Sequence, residues 1–118
     1  MNFPAEERKH DSEANQVMVG WTTTASRDEA ETLAHGLVEA GLVACAQVDG
    51  PVTSIYRWKG AMEAAQEYRL TLKFAAGREG AVEAWIQGHH SYETPEWIYV
   101  VADGAAKNYL NWVVQAST

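Results

Sequence analysis

The chain has 118 residues, nine Lys and Arg against 16 Asp and Glu, and a formal net charge of −7, so it is large enough for one domain with a real core and too acidic for a typical nucleic-acid-binding protein. Its only cysteine, Cys45, excludes an internal disulfide, and no apolar run approaches the ~20 residues that a membrane helix needs. Residues 1–15 are polar, without pattern and without the apolar centre of a signal peptide, which predicts a flexible tail before a single domain at residues 16–118. We therefore expect a cytoplasmic protein with no nucleic-acid partner and no membrane association.

A strand and a helix open the domain. Residues 16–22 alternate apolar and other side chains, which predicts a strand. A helix is expected at about residues 27–40, because apolar residues recur there at helical spacing. Its start is marked by a capping box, in which Ser26 accepts from the amide of Glu29 and the Glu29 side chain reaches back. Gly41 suits the left-handed conformation that ends many helices.

Residues 42–74 predict a long hairpin that turns at residues 58–61. From Tyr68 the second arm alternates in the period-two pattern of a half-buried strand. In the first arm Pro51 has no amide hydrogen for a ladder, so we expect a bulge there. A hairpin of this length overhangs a small domain, and large apolar residues near its tip indicate a surface that another subunit covers. These tip residues are Tyr56, Trp58 and Met62.

The last third of the chain predicts a helix, a loop, a strand and a helix. The sequence signal for a helix at residues 75–88 is weak, because this segment contains glycines that lower helix propensity. Residues 89–96 have the composition of a loop, and residues 97–102 are a continuous apolar run, which favours a strand covered on both faces. Asp103 is placed to cap a final helix, whose apolar stripe contains Ala106, Tyr109, Leu110, Val113 and Val114.

This order, βαββαβ with an added C-terminal helix, predicts an α+β fold. Two right-handed crossovers produce a ferredoxin-like sandwich, with two helices on one face of an antiparallel sheet. The other face is expected to be uncovered, and the hairpin tip and final helix keep apolar residues in water. Association of identical subunits is a simple way to bury them.

Three motifs resemble the CutA (CutA1) divalent-cation tolerance family in their order and spacing. They are Ser54-x-Tyr56-x-Trp58-x-Gly60, His90-x-Tyr92-x-x-Pro95-Glu96 and Tyr109-Leu110-x-Trp112, within a match over residues 16–115. The resemblance implies a ferredoxin-like subunit in a PII-like homotrimer, with Tyr56, Trp58 and Trp112 at the subunit interface. It also implies a role in tolerance to copper and other divalent metals.

The predicted metal ligands are His89, His90 and Cys45. Neutral imidazoles are good ligands for Cu²⁺ and Zn²⁺. Consecutive residues of an extended segment point to opposite sides, however, so a structural role for the histidines remains an alternative. In some relatives the site includes a cysteine where this chain has Thr22, which lowers the expected affinity for Cu⁺. Cys45 lies in an apolar strand, where packing is favoured over ligation.

A second predicted site is a polar cleft between subunits, formed by Glu67, Lys73, Tyr92, Glu93, Glu96 and Tyr109. Neighbouring carboxylates can coordinate a hard cation, and the lysine can bind an anion. Ion pairs and hydrogen bonds between subunits are the structural alternative.

No sequence motif of a nucleophile, zinc hydrolase or phosphate-binding loop is present, so we expect no enzyme and no organic cofactor. The predicted function is that of a CutA-like trimer that binds or senses divalent cations, with Cu²⁺ or Zn²⁺ as the metal. The alternative is a PII-like trimer that senses a small molecule or serves as a scaffold, without a physiological metal.

Overall fold

The computed structural model describes residues 15–118 and contains a four-stranded sheet and three helices. The strands are β1 (Val17–Thr24), β2 (Cys45–Trp58), β3 (Ala61–Ala75) and β4 (Ile98–Val101); the helices are α1 (Arg27–Glu39), α2 (Glu79–His89) and α3 (Lys107–Ala116). The sheet order is β2-β3-β1-β4 and every neighbouring pair is antiparallel. The α+β prediction is confirmed. The predicted tail lies outside the described residues, apart from residue 15.

One face of the sheet forms the main core with α1 and α2. Along β3, Leu70, Leu72 and Phe74 are fully buried on this face, because side chains two residues apart point the same way. The helices contribute apolar residues at helical spacing, namely Ala30, Leu33, Ala34, Leu37, Val82 and Ile86. The alternation predicted from Tyr68 onward therefore has the expected buried side.

Helix α1 begins as predicted, but only half of its capping box forms. The hydroxyl of Ser26 accepts from the amide of Glu29 at 3.1 Å, and Gly41 ends the helix region with a φ of 72°. The Glu29 carboxylate does not return to Ser26. It accepts instead from the amide and the hydroxyl of Ser91, which together offer two donors in the loop after α2.

Helix α2 begins at Glu79, four residues later than predicted. Strand β3 continues to Ala75, and Gly77 then makes a turn with a φ of 99°. The amide of Gly77 donates to the Glu79 carboxylate at 2.7 Å, which fixes this turn at the start of the helix.

The β2–β3 hairpin overhangs the sheet as predicted. Strand β1 ends at Thr24, opposite Tyr68, so the hairpin beyond this pair has no third strand beside it. A register shift between Asp49 and Val52 confirms the predicted bulge at Pro51. Residues 15–118 therefore form an elongated body of 54 × 29 × 22 Å.

The turn of the hairpin lies at Lys59 and Gly60, with φ values of 50° and 82°. Positive φ at both central residues is what a two-residue type I′ turn requires. The predicted turn at residues 58–61 is thus in place.

The second face of the sheet is not left uncovered. Helix α3 packs on it through Val113, which is buried with Val17 and Ala44. The Ser117 hydroxyl also accepts from the amide of Ala75 at 2.9 Å. The predicted cap at Asp103 is wrong, because the helix begins only at Lys107, too far along the chain for that carboxylate to reach its first amides.

Strand β4 lies at the edge of the sheet and pairs with β1 alone. Its four residues are 44% to 58% exposed, so the predicted covering of this strand on both faces is wrong for the single chain. Among the helices of residues 15–118, none is long and apolar enough to span a membrane.

Candidate functional site

The structure does not bring the predicted metal ligands together. His90 reaches the carbonyl of Thr23, which pairs with Arg69, whereas Cys45 pairs with Lys73. Four residues along a strand span about 13 Å, so the thiol is far from the imidazole. In the described part of the chain, no group of three or more His, Cys, Asp or Glu side chains is arranged to hold a metal ion.

Both ring nitrogens of His90 are already in hydrogen bonds, and the side chain is fully buried. Nε2 donates to the carbonyl of Thr23 at 2.8 Å, since a carbonyl can only accept, and Nδ1 accepts from the amide of Tyr92 at 3.0 Å. This arrangement belongs to the neutral tautomer with the proton on Nε2. It gives His90 a structural role and leaves no nitrogen for a metal.

His89 is exposed and has one nitrogen available. Its ring stacks on Trp85 with centroids 3.8 Å apart, and Nδ1 donates to the Trp85 carbonyl at 2.8 Å. The lone pair of Nε2 therefore faces away from this contact. His89 can supply a single ligand, whereas a stable site needs several.

Thr22 and Cys45 contribute to packing in this subunit. Thr22 is fully buried opposite Leu70, and its hydroxyl has no partner within the described residues. Cys45 is partly buried on the other face of the sheet, across from Lys73. Neither residue approaches the buried ring of His90 in a way that completes a metal site.

A cleft of about 480 Å³ lies between the hairpin and the loop at residues 90–97. It contains four of the predicted cleft residues, Glu67, Tyr92, Glu93 and Glu96, and two of the predicted interface residues, Tyr56 and Trp58. Thr23, Thr94 and Pro95 complete its lining. The described residues that line it include three carboxylates and no Lys, Arg or His, so the cleft is negative.

One hydrogen bond joins the two walls of the cleft. The Tyr92 hydroxyl, on the loop, donates to the Glu67 carboxylate of β3 at 2.8 Å. Burial of the phenol, together with this bond and the Glu67 charge, raises the pKa of Tyr92 well above its ordinary value. Tyr92 therefore remains a donor to Glu67 throughout the physiological pH range.

Glu96 is the second carboxylate whose properties the cleft changes. Desolvation of its carboxyl and the charge of Glu67 raise the pKa of Glu96, while Arg69 acts in the opposite direction. Arg69 is largely committed elsewhere, since it donates two hydrogen bonds to Asp49 at 2.8 and 3.3 Å. Like charges are thus held near one another with little local compensation.

Lys73 and Tyr109 do not reach this cleft. The Lys73 ammonium lies 5.9 Å from the centre of the Tyr109 ring, beside α3 at the other end of the sheet face. The six-residue cleft predicted from sequence is therefore two separate features within one subunit.

No sequence pattern indicates that Glu29 contacts this loop. Its carboxylate accepts from the amide and hydroxyl of Ser91, both at 2.9 Å, and lies 3.8 Å from Nδ1 of His90. The only available signal was the capping box itself, which assigned the same carboxylate to a local partner. The 62 residues that separate Glu29 from Ser91 put this contact beyond local pattern analysis.

Comparison with known proteins identifies the family. The model of the family described as CutA1 divalent ion tolerance protein matches residues 18–116. The chain belongs to the CutA1 family. A "Protein CutA homolog" from Xenopus laevis is 32% identical over 100 residues, which are 85% of this chain and 66% of that protein.

Archaeal members of the CutA1 family are also similar to this chain. The "Divalent-cation tolerance protein CutA" of Archaeoglobus fulgidus is 31% identical over 79% of this chain and 90% of its own length. A solved structure from that organism, named as a periplasmic divalent cation tolerance protein CutA, superposes with a TM-score of 0.83 at 28% identity, over 86% of this chain and 99% of that chain. The fold and the family name agree with the resemblance seen in the three sequence motifs.

Proposed function

We propose that this CutA1 family member binds divalent cations in the cleft between its hairpin and its 90–97 loop, and acts in divalent-cation tolerance by binding or sensing them. The observation that carries the proposal is the gathering of three carboxylates, those of Glu67, Glu93 and Glu96, in a cleft whose described lining has no positive side chain. Desolvation, together with the charge of Glu67, raises the pKa of Glu96 there. A divalent cation between these groups relieves their repulsion.

The ligand atoms of the cleft define the class of cation. Carboxylate oxygens bind Zn²⁺ at about 2.0–2.2 Å and also suit harder ions such as Mn²⁺. One oxygen of Glu67 accepts from Tyr92, while its other oxygen accepts no hydrogen bond from the described residues and is available to a metal in this proposal. Water molecules or a neighbouring subunit complete the coordination in this proposal.

We further propose a PII-like homotrimer of ferredoxin-like subunits in the cytoplasm, without an enzymatic role. Three apolar surfaces of the single chain support the assembly. They are β4, with residues 44% to 58% exposed, Ile55 and Met62 on the hairpin, 69% and 66% exposed, and Trp112 on α3, 46% exposed. Tyr56 and Trp58 lie on the opposite side of the hairpin from Ile55 and line the cleft. A subunit interface that includes these two residues therefore extends to the cleft.

Calorimetric titration of the metal-free protein with Zn²⁺ and Cu²⁺ tests the proposed site. The expected result is binding at a fixed ratio per subunit that is lost in the double variant Glu67→Gln, Glu96→Gln. His89→Ala is the matched control and is expected to retain the binding. Loss of binding in His89→Ala with full binding in the cleft variant would contradict the proposal.

Small-molecule sensing is the second candidate, and the size of the cleft favours it. A volume of about 480 Å³ lies within the usual range of small-molecule sites. In this case, a ligand would change amide exchange in the 90–97 loop without any requirement for metal. Exchange that responds to Zn²⁺ alone favours the cation proposal.

A further inference from the structure

Glu29 lies on α1, outside the cleft, yet its side chain contacts the loop that forms one cleft wall. It accepts from the Ser91 amide and from the Ser91 hydroxyl, both at 2.9 Å. The carboxylate is only 20% exposed, so these charge-assisted bonds are partly shielded from water. Its backbone amide separately donates to the Ser26 hydroxyl, and a change of side chain leaves this cap intact.

Three further hydrogen bonds connect this contact to the cleft. Next to Ser91, His90 donates to the carbonyl of Thr23 and accepts from the amide of Tyr92. The Tyr92 hydroxyl then donates to Glu67 at 2.8 Å. The three consecutive residues are thus held by three different elements: His90 by β1, Ser91 by α1 and Tyr92 by β3.

From this chain of contacts we infer that Glu29 is a positioning residue for the cleft: by fastening Ser91 it keeps Tyr92 on Glu67, and so sets the affinity of the cleft for a divalent cation. This inference rests on the proposed function. Hydrogen-bond partners that orient metal ligands commonly change metal affinity by about 10- to 100-fold when they are lost. Glu29 acts one step further away than such a partner, through Tyr92.

The substitution Glu29→Ala removes both bonds to Ser91 and keeps the helix cap. Glu31→Ala is its matched control, because Glu31 lies on the same helix, is half exposed and has its carboxylate 3.8 Å from Arg27 of that helix. In titrations with Zn²⁺, we expect Glu29→Ala to weaken binding about tenfold and Glu31→Ala to leave it unchanged.

A double-variant cycle with Tyr92→Phe separates positioning from general destabilisation. Since Glu29 acts through the Tyr92 hydroxyl, Glu29→Ala is expected to have no further effect on Zn²⁺ affinity in the Tyr92→Phe background. An equal loss in both backgrounds would overturn the inference, as would wild-type affinity in Glu29→Ala.

Hydrogen–deuterium exchange of the metal-free protein gives a second readout that does not depend on cation binding. The Tyr92 amide, which donates to His90, is expected to exchange faster in Glu29→Ala than in Glu31→Ala. Unchanged exchange would overturn the inference even if Zn²⁺ binds. Absence of Zn²⁺ binding by the wild type, with faster exchange in Glu29→Ala, would refute the proposed function and the effect on affinity but not the fastening of the loop.

Discussion

Two regions of the molecule share the alternation of apolar and polar side chains but differ in how well the apolar side is buried. One is the sheet that packs against α1 and α2, and the other is the overhanging hairpin. In the first region one side of β3 is completely buried, as Leu70, Leu72 and Phe74 show. In the hairpin the same strand leaves Met62 66% exposed, and its partner β2 leaves Ile55 69% exposed. The sheet region is packed against α1 and α2, whereas the hairpin presents apolar groups that the described residues leave exposed.

The difference separates apolar side chains that are buried within the single chain from those that are not. A side chain that packs against α1 or α2 has its partner within the subunit. Several apolar residues of the hairpin, β4 and α3 stay exposed in the described chain, among them Met62, Val100 and Trp112, and their exposure is the physical basis for proposing an assembly.

The largest expected effect lies in the packed region. Phe74→Ala removes a fully buried ring that contacts Trp97, with centroids 6.0 Å apart, and should lower the free energy of unfolding by about 3–5 kcal/mol. Urea denaturation at fixed protein concentration measures this change. Val38→Ala, at an exposed position on α1, should change it by less than about 0.5 kcal/mol. Similar small effects of both variants would mean that Phe74 is not a core residue.

The histidine pair sharpens the same contrast between buried and exposed side chains. His90→Ala leaves the carbonyl of Thr23 and the amide of Tyr92 without their partners, and should destabilise the protein by about 2–3 kcal/mol. His89→Ala loses an exposed ring and should have a much smaller effect. Thermal unfolding of the two variants tests this, and equal melting temperatures would contradict the structural role of His90.

Substitutions on the hairpin should affect assembly more than the fold of a subunit. Ile55→Ala with Met62→Ala is expected to weaken association by about 2 kcal/mol, because it removes apolar groups from the proposed interface. Trp58→Ala, on the other side of the hairpin, should have an effect of similar size. Light scattering over a dilution series measures the mass; a trimer that dissociates no more readily than the wild type would exclude the corresponding face.

The smallest expected effect is a pH-dependent gain in the stability of the protein when Glu96 in the cleft is replaced. Because the pKa of Glu96 is raised in the folded protein, its ionised form costs stability above that pKa, and the cost disappears below the pKa of the unfolded chain. Glu96→Gln should therefore slightly raise the melting temperature at pH 7 and have almost no effect at pH 4. A variant that is less stable at pH 7 would show that ionised Glu96 has a favourable partner.

Local patterns predicted most of the fold, because alternating apolar residues indicate the strands and apolar residues at helical spacing indicate α1. The bulge at Pro51 was also predicted, because proline has no amide hydrogen for a ladder, and the turn lies within the predicted residues 58–61. The exposure of β4 could not be predicted, because an apolar run looks the same in sequence whether it packs against a helix of the same chain or against another subunit. The packing of α3 through Val113 likewise depends on a long-range contact.

The site was predictable only in part. Glu67, Tyr92, Glu93 and Glu96 meet in the cleft as expected, because the loop after α2 returns beside β3. Lys73 lies on the same sheet face as Glu67 but six residues further along β3, beside Tyr109. The alternation pattern places both side chains on one face and does not show that Lys73 is too far away to reach the cleft. The side-chain hydrogen bonds of Glu29 and His90 depend on which donors and acceptors lie nearest in the folded chain, and local sequence does not specify them.

X-ray diffraction from crystals grown with Zn²⁺, recorded at the zinc absorption edge, would locate the bound cation and show the assembly together. The expected result is an anomalous peak between Glu67 and Glu96 in every subunit of a trimer. A peak at His89 with an empty cleft, or a monomer in the crystal and in solution, would contradict it.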